Sequence, residues 1–235
     1  MRALRSSALA LLFAFAVIFP AAAQTPEPAA AQTPEPTDRV RIDYGVRFGP
    51  SFTTLSSVET FDVTAAPAAF EPTLNFGGFV AIHVRGSLAI QPELLFAAKG
   101  HRIRHKDAKP VTQPTGEQKL PPADRVILVR YLEVPLLLRL SKRTHESTSL
   151  YVVAGPALAF RRNAVIRQVA DPGQREDIDD LVSGRDLTYI AGGGLQHERW
   201  MVDARFTRGI KNIATDPTPE AVKTGAFSVL MGVRF

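Results

Sequence analysis

Every second residue in the last stretch of the chain, 224–235, is bulky and apolar. A period of two residues places successive side chains on opposite faces of a β-strand. The two faces of this strand therefore meet different surroundings, which predicts a sheet with one apolar and one polar face. The apolar positions are Phe227, Val229, Met231, Val233 and Phe235.

Seven upstream stretches show the same alternation. In the fourth of them, Val134 and Leu136 alternate with Tyr131, Glu133 and Pro135. Large apolar residues occupy one face of each stretch, whereas charged and small residues share the other. The predicted strands lie at about 40–52, 75–85, 87–99, 125–140, 148–161, 186–196, 199–208 and 224–235. The pattern therefore predicts an all-β fold of eight strands.

The connections between these strands alternate in length. Long connections at 53–74, 100–124, 162–185 and 209–223 are separated by short turns at 85–87, 141–147 and 197–199. An antiparallel up-and-down barrel produces this alternation when short turns lie on one rim and long loops on the other.

The position of the apolar face distinguishes two kinds of barrel. A soluble barrel turns its apolar face inward, as lipocalins do, whereas a transmembrane barrel turns it toward lipid. The predicted strands approach the ~9–11 residues that are needed to cross a bilayer. The chain has no cysteine and therefore no disulfides, so the fold depends on its own hydrogen bonds and burial. We therefore predict an eight-stranded antiparallel transmembrane β-barrel, with a soluble periplasmic barrel that binds an apolar ligand as the alternative.

The N-terminal region predicts export. Arg2 and Arg5 precede an apolar run at 8–19 and the small residues Ala21-Ala22-Ala23, as in a secretory signal peptide over 1–23. Residues 24–39 repeat Gln-Thr-Pro-Glu-Pro, which favours an extended linker in the periplasm. We therefore expect a signal peptide at 1–23, a Pro-rich linker at 24–39 and an outer-membrane barrel domain at 40–235.

Several segments resemble the PorT-like outer-membrane β-barrel family of Bacteroidetes-type bacteria. The most specific segment runs Tyr131-Leu132-Glu133-Val134-Pro135-Leu136-Leu137, and looser matches lie at 44–49, 91–96, 150–156 and 232–235. The resemblance covers about 40–235. It implies an eight-stranded outer-membrane barrel of mostly unassigned function, and it does not carry over the protein-secretion role of one branch of that family.

Charged residues on the polar face converge in the interior of such a barrel. Because an eight-stranded barrel is just wide enough to be filled by side chains, these charges must pair. We expect Glu93 and Glu133 to meet Arg139, Arg205 or Arg234 in a salt-bridged plug, and a gate or narrow ion path is the alternative. The predicted cluster is Arg47, Glu93, Glu133, Arg139, Asp203, Arg205 and Arg234.

Other candidate sites are weaker. The basic segment at 99–109 predicts a cationic collar against lipopolysaccharide phosphates, with His101 and His105 as solvated loop residues. The acidic segment at 171–180 lacks the spacing of a calcium loop. Gly192-Gly193-Gly194 lies within a strand and is not followed by the Lys-Ser/Thr of a phosphate loop, so we interpret it as room for packing or for a bulge. We expect no catalytic residues, no metal and no cofactor.

These observations predict a small outer-membrane protein with a structural role, or one that binds a protein partner through its long outer loops. The partners are then the lipid bilayer, lipopolysaccharide and the assembly machinery, which would read the apolar set from Phe227 to Phe235 as its signal. Bases and acids are interspersed despite a net charge of +5, so nucleic acid is not a predicted partner. An outer-membrane lipid hydrolase is a further alternative.

Overall fold

The computed structural model describes residues 41–57, 70–104, 111–112, 118–119, 124–171, 173–215 and 221–235. The predicted signal peptide and Pro-rich linker lie outside the described residues and stay predictions.

The described chain is almost entirely β-strand, and eight long strands dominate it. Their order is β1 (Arg41–Leu55), β2 (Glu71–Arg85), β3 (Leu88–Ile103), β4 (Val111–Thr112), β5 (Gln118–Lys119), β6 (Arg125–His145), β7 (Thr148–Gln168), β8 (Arg175–Asp177), β9 (Arg185–His197), β10 (Trp200–Gly209) and β11 (Thr224–Arg234). The short strands β4 and β5 pair with each other, and β8 pairs with the C-terminal end of β7.

The eight long strands form a closed ring in which all neighbours are antiparallel. The order around the ring is β1, β2, β3, β6, β7, β9, β10 and β11, and β11 pairs with β1. Closure pairs the backbone groups of both terminal strands, which is what a lipid environment requires because hydrocarbon offers no hydrogen-bond partner. The predicted eight-stranded antiparallel up-and-down barrel is confirmed.

The register of the pairs gives the stagger of the barrel. Starting at Phe52 on β1, successive partners around the ring lead back to β1 at Ile42, ten residues (52 − 42) from the start. The intermediate partners are Phe227, Phe206, Ala191, Ala154, Leu138, Ile90 and Ile82. Such a stagger tilts the strands by roughly 35–45° and leaves an interior that side chains can fill.

The outer surface of the ring is apolar. Every strand of the ring carries exposed large apolar residues, and some of them, such as Leu136 and Val152, are more than half exposed. The charged residues in the middle of the same strands point inward and are buried. This arrangement is that of a transmembrane barrel, so the alternative of a soluble barrel with an apolar interior is wrong. Within the described ranges, no helix is long and apolar enough to cross a membrane.

Several strands extend beyond their predicted ends, and β6 and β7 do so furthest. The hairpin of β6 and β7 continues to the pair Arg125↔Gln168 on the outer side, and the predicted turn at 141–147 shrinks to Glu146-Ser147. Between the pairs Arg130↔Asn163 and Tyr131↔Arg161, β7 contains one extra residue, Arg162. This bulge exchanges the inward and outward positions of β7. The period-two pattern therefore predicts an end of the strand at residue 161, although the strand continues to Gln168.

Candidate functional site in the barrel interior

The central part of the predicted charge cluster is formed by side chains of β1, β3 and β10. Arg205 of β10 donates to both carboxylate oxygens of Glu93 on β3, with Nη1–Oε2 and Nη2–Oε1 distances of 2.8 and 3.1 Å. Its Nε donates to Asp203 Oδ1 at 2.6 Å. Arg47 of β1 lies between the same two acids, 3.4 Å from Glu93 Oε1 and 3.2 Å from Asp203 Oδ2. The two acids and two arginines therefore form one buried network.

Arg139 borders this network on the side of the tight turns. Its guanidinium donates to Ser141, Gln91 and Gln196 at 3.1, 3.2 and 2.7 Å, and its Cζ lies 3.9 Å from the ring centre of Tyr151. The hydroxyl of Tyr151 in turn donates to Asp203 Oδ2 at 2.7 Å. Arg139 thus joins the network through neutral side chains and a cation–π contact rather than through a carboxylate.

Glu133 lies apart from this network, so its expected pairing with an arginine is wrong. Its Oε1 is 2.7 Å from Nζ of Lys99, which also lies 3.7 Å from Asp186 Oδ2. The Thr224 hydroxyl donates to Asp186 at 2.8 Å. This second cluster sits nearer the rim of the long connections. The inward-facing positions of β3 include Gln91, Glu93 and Lys99. The period-two alternation of β3 was therefore the sequence signal that places Lys99, the partner of Glu133, in the interior.

Arg234 is also outside the buried network. It lies at the tight-turn rim with its side chain partly exposed, and it donates to Asp43 Oδ2 at 3.0 Å and to the Glu198 carbonyl at 3.2 Å. Of the seven predicted residues, Arg47, Glu93, Asp203 and Arg205 are brought into direct contact. Arg139 is adjacent to them, whereas Glu133 and Arg234 belong to other contacts.

Taken together, the two interior clusters are balanced in charge. They contain four cations and four carboxylates, and each of these residues is at most 4 % exposed. Removing so many charges from water is costly unless they are paired and hydrogen-bonded. Seven of the eight lie within 4 Å of an opposite charge, and Arg139 is held by three hydrogen bonds to neutral side chains. The cations are Arg47, Lys99, Arg139 and Arg205, and the carboxylates are Glu93, Glu133, Asp186 and Asp203.

Apolar side chains occupy the interior beyond the second cluster, at the rim of the long connections. Ile127 and Val129 of β6 and Ile166 of β7 pack there against residues that do not belong to the ring. These further residues come from the connections that follow β7 and β10, and they are Ile178, Val182, Ile213 and Val222. The described parts of these two connections therefore bury their own apolar side chains over this end of the barrel.

Two glycines of β9 make room for the central network. A Cβ on Gly194 would lie 2.8 Å from the Tyr151 ring and 2.5 Å from Asp203 Cβ, and one on Gly192 would lie 2.9 Å from Arg205 Cγ. The expectation that this glycine run allows side chains to pack is therefore confirmed.

The predicted cationic collar is wrong for two of its members. Lys99 and His101 belong to β3 and are buried, whereas Arg102 is partly exposed near Glu71. His105 and the lysines at 106 and 109 lie outside the described residues. In the acidic segment, Asp179 pairs with Arg161 and accepts from the Ala164 N–H at 2.6 Å.

The predicted assembly signal lies on the outer face of β11. Phe227, Met231 and Phe235 are exposed, and Val229 and Val233 are partly exposed. The Phe235 N–H donates to the Tyr44 carbonyl at 2.8 Å, so the chain is paired to its last residue. Whether assembly machinery reads this set stays a prediction.

Comparison with known families identifies the barrel. Residues 23–215 match the family model described as outer membrane protein beta-barrel domain. The chain belongs to this family. As an outer membrane protein β-barrel domain, it spans the outer membrane, with its exposed apolar belt in contact with the lipid bilayer. No curated protein sequence matches the chain.

Solved structures similar to this outer membrane barrel are distant in sequence. Ail, the attachment invasion locus protein of Yersinia pestis, in complex with the heparin analogue sucrose octasulfate, is 15 % identical with a TM-score of 0.41. That match covers 83 % of this chain and 99 % of Ail. Neisserial surface protein A is 13 % identical with a TM-score of 0.43, and the match covers 82 % of this chain and 97 % of that protein.

Proposed function

We propose that this outer membrane protein is a non-conducting barrel whose interior is plugged by its own charged side chains. The observation that carries the proposal is the balance of four buried cations and four buried carboxylates in two clusters that cross the lumen. Opening a water path requires these ion pairs to separate, and the apolar cluster of the long connections adds a second obstruction.

Planar-bilayer recording tests the plug. The refolded barrel is added to both chambers at high salt, with an open porin of 16–18 strands as the positive control. We expect no conductance steps from this barrel while the porin gives steps in the same bilayers. Reproducible steps that scale with the amount of folded barrel would contradict the plug and favour the narrow ion path.

We further propose that the work of the barrel is structural, or consists of binding a partner at the rim of the long connections. Support comes from the packing of these connections on the barrel, because a rigid scaffold that holds its loops suits recognition. The candidate partners are lipopolysaccharide and a protein. Substituting the exposed strand β8 should abolish cross-linking of a partner on whole cells while leaving the barrel at its normal level. Unchanged cross-links would contradict recognition at this segment.

The route to the membrane is part of the same proposal. The chain is exported through a signal peptide that is cleaved after Ala23, and its insertion is guided by the outer face of β11. We also propose that the barrel belongs to the PorT-like branch. The sequence resemblance of the Tyr131–Leu137 stretch, which lies within β6, is the support for the PorT-like branch. N-terminal sequencing of the protein from outer membranes should give Gln24 as the first residue, and retention of residues 1–23 would contradict cleavage.

We propose that the barrel is not an enzyme. The His83 ring contacts Asp43 at 2.9 Å and Arg41 at 3.3 Å, and in the described chain no serine hydroxyl bonds to it. The Thr148 hydroxyl lies 2.9 Å from Nδ1 of His197, but this contact is exposed at the tight-turn rim, and none of the described contacts of the ring is with a carboxylate that would orient it. A lipid hydrolase needs a nucleophile within hydrogen-bond reach of its base. The test measures release of fatty acid from outer-membrane lipids by the purified barrel. Release that is lost when a histidine is substituted would contradict the proposal, whereas release that survives substitution of every histidine would exclude a histidine-based hydrolase.

A further inference from the structure

The mouth of the barrel on the tight-turn rim contains a polar pocket of about 250 Å³. Arg139 closes it on the side of the lumen. It lies at the opposite end of the barrel from the long connections, and its existence does not depend on whether the lumen conducts. The side chains that give it its character are those of Arg41, His83, Arg139, Arg143, Ser149 and Gln196. In outer-membrane barrels the tight turns face the periplasm, so this pocket opens to that side.

The lining of the pocket is cationic. Three arginines and a histidine contribute to it, together with serine hydroxyls, and none of the described residues that line it is acidic. The nearest carboxylate in contact with the lining is Asp43, which accepts from Arg41 and His83, both at 2.9 Å, and from Arg234 at 3.0 Å. One carboxylate thus serves three donors, and none of the described contacts of Asp43 involves Arg143.

Arg143 and Ser149 are the donors that the fold leaves available. They face each other directly across the β6–β7 ladder. Within the ranges that the structure describes, neither the Arg143 guanidinium nor the Ser149 hydroxyl has a hydrogen-bond or ion-pair partner. Glu146, in the turn between these strands, makes no ion pair with Arg143 in the same ranges. The pair therefore presents N–H and O–H donors to the pocket without an acceptor.

Arg139 forms a rigid floor beneath this pair. Its bonds to Ser141, Gln91 and Gln196 use three of the five N–H donors of the guanidinium and hold it against Tyr151. A preorganised guanidinium beside a second, unpaired one and serine hydroxyls matches the oxygens of a tetrahedral anion, because arginine binds phosphate through two parallel N–H···O bonds. We propose that this pocket binds a phosphate group, presented either by a soluble phosphate ester or by a lipid headgroup of the adjoining leaflet.

Calorimetric titration tests the proposal with pyrophosphate as the probe. The full-length barrel is refolded in dodecyl maltoside, which carries no phosphate, and titrated at low ionic strength. We expect one saturable site per barrel, weakened about tenfold or more by Arg143→Gln, since a charged hydrogen-bond donor is lost. Lys142→Gln is the matched control, because it removes the same charge from the neighbouring residue on the outer face and should change affinity less than about twofold.

Two results would overturn the proposal. The first is the absence of saturable binding by a barrel that still shows heat-modifiable migration on gels. The second is equal loss of affinity in Arg143→Gln and Lys142→Gln, which indicates diffuse attraction to a basic rim. Repeating the titration in phosphatidylglycerol nanodiscs separates the two sources. A fall in pyrophosphate affinity there that is larger for the unaltered barrel than for Arg143→Gln assigns the pocket to a headgroup, and unchanged affinity assigns it to a soluble ester.

Discussion

At the scale of single residues, the interior depends on partners that are far apart along the chain. Arg205 and Glu93 are separated by 112 positions, yet they share two hydrogen bonds in a site that excludes water. Burial makes the loss of one partner more destabilising. The attraction between two buried charges offsets their desolvation penalty, and the penalty of the remaining charge persists when its partner is removed.

Removal of Arg205 should therefore destabilise the barrel strongly. Arg205→Met leaves Glu93 and Asp203 with Arg47 as their shared cation, and we expect a loss of about 3–5 kcal/mol in the free energy of unfolding. The double variant Glu93→Gln/Arg205→Met should lose less than the sum of the single losses, by about 0.5–3 kcal/mol. Urea unfolding in phospholipid vesicles measures the two single variants, Glu93→Gln and Arg205→Met, and the double variant. Arg208→Met, an exposed position on the same strand, is the control, and additive losses would contradict the coupling.

The glycines of β9 make a second prediction at this scale. Gly194→Ala places a methyl group against the Val202 carbonyl oxygen, Asp203 and the Tyr151 ring, and overpacking of this kind costs about 1–3 kcal/mol. Gly193→Ala, one residue away on the other face, has its nearest contact at 3.3 Å and should cost less. The same unfolding measurement compares them, and equal costs would mean that the central network does not need the space.

At the scale of elements, each strand of the ring separates lipid from the charged interior. β6 shows this most clearly, because its outward residues Leu136, Leu138 and Leu140 alternate with the buried Leu137 and Arg139. The depth of an outward residue in the bilayer then decides how much a charge there costs.

Arginine scanning along β6 tests this depth dependence. Leu136→Arg, near the middle of the apolar belt, should lower the free energy of unfolding by about 2–4 kcal/mol, whereas Leu140→Arg, nearer the tight-turn rim, should cost about 0–1 kcal/mol. Unfolding in vesicles measures both. Equal costs at the two positions would contradict the placement of the belt across the bilayer.

The terminal strand β11 has a role in assembly that can be separated from its role in stability. Phe235→Ala retains the backbone bond to Tyr44 and loses only the exposed ring, so the finished barrel should lose little stability in vesicles. The amount of barrel in the outer membrane should nevertheless fall several-fold, as quantified by immunoblot of membrane fractions. Tyr44→Ala, which removes the neighbouring ring of β1, is the control, and normal levels of Phe235→Ala would refute a signal at this residue.

At the scale of the whole molecule, closure between β1 and β11 leaves no unpaired edge in the ring. A closed sheet unfolds slowly, because many backbone bonds must break together before detergent can enter. The folded barrel should therefore migrate faster than the heated chain on gels in dodecyl sulfate, with the boiled sample as the reference. Identical migration before and after heating would contradict a closed barrel in the purified protein.

Much of this architecture followed from the sequence alone. The alternation of residues such as Phe227, Met231 and Phe235 predicts a strand with one apolar face, and eight such stretches with alternating connections predict the ring. These features are local, since a period of two depends only on the pleat of the strand. The alternation of β3 also extends to Lys99, although the basic segment at 99–109 predicted a place in the cationic collar for this residue.

Other features depended on tertiary structure. The stagger of ten residues decides which inward side chains meet at the same height, so it pairs Glu133 with Lys99 and leaves Arg234 at the rim with Asp43. The bulge at Arg162 and the packing of Ile178 and Ile213 over the barrel end likewise have no periodic signal. The sequence determined which face of each strand meets lipid, because that is a property of one strand. Which charges neutralise one another was decided by the register of eight strands around a closed ring, because contacts across the lumen depend on the stagger of the whole sheet.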